Sequence, residues 1–183
     1  YEDIRPCIYV GTITTLTFSS LLAIPFCIYA LVVGEINPYY IFTAFMGYLG
    51  FTLTLSTMVY NSVLKQYKKI CLYFLVSMGL TFLLSMIFRF VIRLSITYSM
   101  LLALTIGFLL IASLELSNVL RYFPAGSHKY MEVTGYYRIY WKLIASNFLY
   151  ALGLFAHNFV FWTRPGHLVV ADTFVCNQPY DMA

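Results

Sequence analysis

Residues 139–166 read IYWKLIASNFLYALGLFAHNFVFWTRPG, and this stretch decides the fold. Leu143 to Trp162 is an apolar run of the length that crosses a bilayer core, about 20 residues of helix. Tyr140 and Trp141 stand at one end, Phe161 and Trp162 at the other, where aromatic rings settle at the headgroup level. Arg164-Pro165-Gly166 closes the run, because proline cannot donate the next helical hydrogen bond. The stretch reads as a membrane-spanning helix.

The rest of the chain has the same character. Of its 183 residues 61% are hydrophobic and 10% charged, with a mean hydropathy of +0.80. A soluble domain carries roughly 25% charge, so the chain reads as an integral membrane protein. It opens at Tyr1 and stops at Asp181-Met182-Ala183, and is expected to be a piece of a longer protein. No basic segment followed by a short apolar run and a cleavage site opens it, so no signal peptide is read. The net charge of +4 suits loops facing anionic lipid. Its basic residues are not interleaved with stacking aromatics in a polar context, so nucleic acid is not an expected partner.

Cys7, Cys27, Cys71 and Cys176 share no short spacing. They read as small buried apolar residues plus one thiol in a polar loop, not as a metal site or disulfide framework. No nucleophile–base pair, no HExxH spacing and no glycine-rich phosphate loop occurs. Enzyme activity, cofactors and metals are therefore not expected.

Working outward towards the N-terminus, four further apolar runs appear: Cys7 to Val33, Tyr39 to Leu64, Ile70 to about Phe90, and Ile96 to Leu120. The first is rich in Thr and Ser, which bond across helix interfaces, and Pro25 should kink it. Gly47 and Gly50 in the second are expected close-approach points. Arg121 to Lys142 is polar, basic and tyrosine-rich. The expected fold is all-α: a transmembrane bundle of five spans with a boundary at this segment. Residues 1–123 hold four helices of one lobe, 124–142 a cytoplasmic link, and 143–183 a fifth helix followed by an external loop.

Five spans place the two ends on opposite sides of the bilayer. Of the eleven Lys and Arg, Arg5, Lys65, Lys68, Lys69, Arg121, Lys129, Arg138 and Lys142 fall on one side. Arg89, Arg93 and Arg164 fall on the other. The basic side is expected in the cytoplasm.

Four places could carry chemistry. Arg89 and Arg93 are one helical turn apart and would either hold an anion such as phosphate or snorkel to the outer headgroups. Glu115 lies inside the fourth span, where a carboxylate marks a cavity or cation path, unless it is hydrated at the interface or bonded to Asn118. His157 and Asn158 sit in the fifth span, to bind a sugar hydroxyl or to bond a neighbouring helix. Asn158 and Trp162, four apart, share a face that is expected to turn towards the bundle.

The run Leu152 to Trp162 (LGLFAHNFVFW), with Pro165-Gly166 and the later Pro179-Tyr180-Asp181-Met182-Ala183, resembles the PelG family of multi-spanning inner-membrane proteins from Pel exopolysaccharide systems. Tyr1 to Pro6 (YEDIRP) and Val63 to Ile70 (VLKQYKKI) match it in order and spacing. The family is similar to two-lobe polysaccharide flippases of the multidrug/oligosaccharidyl-lipid/polysaccharide superfamily. The resemblance implies that these spans are the third to seventh. It also implies that the chain helps Pel polysaccharide cross the cytoplasmic membrane, with a cytosolic glycosyltransferase and other Pel membrane proteins as partners. A lipid-linked oligosaccharide flippase and a non-transporting scaffold that docks the glycosyltransferase are the alternatives.

Overall fold

In the computed structural model, residues 4–123, 130–163, 168–170 and 174–176 are described. Six helices follow one another: α1 Ile4–Val32, α2 Pro38–Val63, α3 Tyr67–Phe90, α4 Ile96–Tyr122, α5 Tyr130–Ile139 and α6 Trp141–Trp162. The strands β1 Leu168–Val170 and β2 Phe174–Cys176 then pair antiparallel, with Leu168 opposite Cys176. Among the described residues α1 to α4 are each long and apolar enough to cross a membrane. The fold is all-α apart from that small hairpin, which falls where the sequence pointed to a loop.

The helix ends follow from local chemistry. Asn37 caps α2, its side chain accepting from the Tyr39 N–H at 3.1 Å, and Pro38 takes the first helical position, where a missing N–H loses nothing. Ser95 caps α4 by accepting from the Tyr98 N–H at 3.3 Å. Helix α1 runs on through Pro25. Each of the three turns between α1 and α4 places a charged residue in the left-handed region: Glu35, Lys65 and Arg93, with φ of 46°, 55° and 61°. That conformation costs a non-glycine residue on the order of 1 kcal/mol.

Short turns reverse the chain after each helix, so α2 and α4 run parallel, with α1 and α3 opposed to them. The helices form a row, α3 on α4, α4 on α2, α2 on α1, and α5 on α1. Side chains of α2 meet partners in α4 and its cap 55 to 58 positions further on: Tyr40 with Ser95, Thr57 with Glu115, Asn61 with Asn118.

The row is polar within and apolar outside. Thr43, Thr54, Thr57, Asn61, Ser99, Thr105, Glu115 and Asn118 are buried, whereas Leu22, Phe90 and Val63 are 73%, 73% and 76% exposed. In water this arrangement would leave the hydrophobic effect unused. In lipid it is the favoured one, since small and hydroxyl-bearing residues let helices approach and bond. The chain is a membrane protein.

Gly47 and Gly50 lie on the α2–α4 seam, as the sequence suggested. A Cβ on Gly50 would sit 3.2 Å from Leu109 Cδ2 and 3.3 Å from the Leu109 backbone nitrogen. Gly50→Val should therefore force the helices apart and cost roughly 1–3 kcal/mol, read as a lower melting temperature of the detergent-solubilised protein. An unchanged melting temperature would mean that the seam is looser than described.

The sequence reading carried no helix between residues 124 and 142. Helix α5 occupies much of that interval, with Glu132 in its first turn and Arg138 in its last, charges that suit the helix dipole. Val133 fixes it against the bundle at 6% exposure.

Candidate functional site

Five of the buried polar groups, Thr54, Thr57, Asn61, Glu115 and Asn118, gather at the basic end of the α2–α4 seam. On α2, Thr54, Thr57 and Asn61 recur at offsets of three and four, and on α4 Glu115 and Asn118 are three apart, so each set lines one helix face. The two faces meet.

Glu115 is 1% exposed. Its Oε2 accepts from the Thr57 hydroxyl at 2.7 Å, and its backbone carbonyl accepts from Asn61 Nδ2 at 3.2 Å. The Thr57 hydroxyl also lies 2.9 Å from the Leu53 carbonyl and 3.1 Å from that of Thr54. It has one proton to give, so a bond to Glu115 is made at the expense of a bond to its own helix. Asn61 Nδ2 donates to the Thr57 carbonyl as well, at 3.0 Å. Below them Asn118 is the hub. Its Nδ2 donates to Asn61 Oδ1 and to Gln66 Oε1, both at 2.7 Å, and its Oδ1 accepts from Lys69 Nζ at 2.8 Å. Three helices and one turn are thus joined through six side chains, and the cationic end of Lys69 reaches the cluster through Asn118.

At the far end the seam is closed by lighter contacts. The Tyr40 hydroxyl and Ser95 Oγ are 2.8 Å apart, and Thr105 Oγ1 donates to the Thr43 carbonyl at 3.2 Å. A cleft of about 700 Å³ opens there between α1 and α2, lined by apolar side chains including Phe26, Cys27 and Phe45.

Of the residues singled out in the sequence, Glu115 does not meet Arg89 or Arg93. Glu115 faces the seam, as expected for an intramembrane carboxylate, but its side-chain partner is Thr57, while Asn118 bonds elsewhere. Arg89 and Arg93 are both exposed at the α3–α4 turn, at the opposite end of α4, roughly 30 Å from Glu115 at 1.5 Å per residue. Arg89 Nη1 donates to the Leu94 carbonyl at 3.0 Å and so holds that turn. His157 and Asn158 fall on α6, and their side chains lie outside the described residues. Trp162 is half-buried at the end of α6, a helix that packs mainly on α5. Among the described residues no group of three His, Cys, Asp or Glu could hold a metal ion.

Thr57, Asn61, Gln66 and Lys69 were missed in the sequence. For Thr57 and Asn61 the signal was the stripe at 54, 57 and 61, which becomes legible only when set against the stripe at 115 and 118 in another helix.

A family model described as PelG, "Putative exopolysaccharide Exporter (EPS-E)", matches residues 1–183. The chain belongs to the PelG family. No curated protein and no solved structure matches it.

Proposed function

We propose that this chain is a membrane component of exopolysaccharide export that helps polymer cross the cytoplasmic membrane without catalysing a reaction. The family match over residues 1–183 carries the reading. The inside-out burial of polar side chains supports it, since transport needs such groups inside a bilayer. In this reading α6 is a fifth span that opens a second lobe. Residues 124–142 are the cytoplasmic link to it, and Glu115, Arg89, Arg93, His157, Asn158 and Trp162 are candidates for the polymer path. A cytosolic glycosyltransferase and other membrane proteins of the same system are the partners.

Removing the gene separates export from scaffolding. An exporter's loss leaves polymer inside the cell with the glycosyltransferase still active. A scaffold's loss abolishes synthesis, or releases the glycosyltransferase from the membrane. Intracellular polymer, measured beside secreted polymer, decides between them. The flippase alternative is less favoured because Arg89 is engaged by the Leu94 carbonyl and a pyrophosphate would have to displace it.

The asymmetry of basic residues sets the expected topology. In a cysteine-free background, Lys68→Cys should resist an impermeant thiol reagent added outside the cell and Leu168→Cys should react. The reverse pattern would overturn the orientation.

A further inference from the structure

Helix α5 is ten residues long, about 15 Å, half of what a hydrocarbon core requires. It is held at the basic end of the row. Val133 packs on the bundle, and Tyr137 lies within electrostatic range of Tyr60 on α2, as does Cys7 on α1. At about 100° per residue, Met131, Arg138 and Ile139 lie roughly 120–160° away from Val133, on the opposite side of the helix. Met131 is 87% and Ile139 68% exposed. Arg138 is exposed between them, and Lys142 follows in the first turn of α6, beside the exposed rings of Tyr140 and Trp141. Arg121, Lys65, Lys68 and Lys69 are exposed at the same end of the row, against one exposed acid, Glu132, among the described residues.

We propose that the outer face of α5 is a docking surface for anionic phospholipid headgroups of the leaflet that the basic loops face. Met131 and Ile139 beside Arg138 on one face, with Lys142 just beyond, suit a headgroup layer, where apolar groups turn towards the acyl chains and charged ends reach phosphate. The surplus of basic residues favours a negatively charged leaflet. The interaction fixes α5 at membrane depth and, through Tyr140, sets where α6 begins. It does not depend on what the chain transports.

The test uses the full chain carrying Trp141→Phe, Trp162→Phe and Met131→Trp, reconstituted in vesicles of phosphatidylcholine and phosphatidylglycerol. One lipid at a time carries bromine near the acyl carbonyl. The new indole should be quenched by shallow bromine, and more strongly by brominated phosphatidylglycerol than by brominated phosphatidylcholine. Arg138→Gln and Lys142→Gln should each lower that preference by up to roughly five-fold, while shallow quenching persists. Quenching by aqueous iodide but not by either lipid would overturn the proposal, as would protection from both, which means protein covers the face. Equal quenching by the two lipids would overturn the anionic preference on which it rests.

Discussion

Asn118→Leu should destabilise the protein more than any other single substitution in the α2–α4 seam. Asn118 makes three side-chain bonds, to Asn61, Gln66 and Lys69, each at 2.7–2.8 Å. Leucine fills much of the same space, so the loss is mainly of hydrogen bonds. Interhelical hydrogen bonds in membranes are worth about 0.6 kcal/mol on average and up to about 1.7. A buried acceptor left unpaired costs about 1–3 kcal/mol. Asn61 Oδ1 is deeply buried and loses its donor, whereas Lys69 is exposed and recovers water. The expected total is roughly 2–4 kcal/mol, seen as a lower unfolding midpoint in a detergent titration. Asn118→Asp keeps an acceptor for Lys69 but turns a second acceptor towards Asn61 Oδ1 and Gln66 Oε1, so it should not restore the midpoint. An Asn118→Leu midpoint equal to the wild type would mean that the cluster does not hold the helices together.

The residues themselves explain what was legible in the sequence. Spans reveal themselves through length and hydropathy, and the turns through Asn37-Pro38 and Ser95, so α1 to α4 could be placed within a few residues. Gly47 and Gly50 could be named as contact points because glycine lets helices approach closely, although Gly79 in α3 meets nothing within 4 Å. Helix α5 escaped because its ten tyrosine-rich residues, with only Met131, Val133 and Ile139 as aliphatic side chains, form no apolar run. What orders it is one apolar side chain, Val133, meeting a bundle that the sequence does not show.

The cluster escaped for a related reason. Thr57 and Asn61 are unremarkable in a span where hydroxyl and amide groups have many uses. They acquire a role only through the parallel α2–α4 register, which puts Glu115 opposite Thr57 and Asn118 opposite Asn61. Arg89 drew attention as a charge near the membrane, yet its hydrogen bond to the Leu94 carbonyl serves the turn.

Glu115→Gln should remove export while leaving the fold in place. The amide is nearly isosteric and its oxygen can still accept from Thr57, the bond seen at 2.7 Å. The bond from Asn61 goes to the backbone carbonyl of residue 115 and survives any side-chain change. The substitution therefore takes away an ionisable group and little else. A carboxylate inside a span costs about 2.5–3.5 kcal/mol at the helix centre, less near an interface. Among the described residues Glu115 is the one buried side chain that can carry a charge, and this is why the proposed transport role is placed on it.

The deciding measurement is the ratio of secreted to intracellular polymer in cells expressing Glu115→Gln, at membrane protein levels matched to wild type. The account predicts a fall of about tenfold or more, equivalent to roughly 1.4 kcal/mol, with polymer retained inside. A wild-type ratio would contradict it and leave Glu115 as a structural hydrogen-bonding residue.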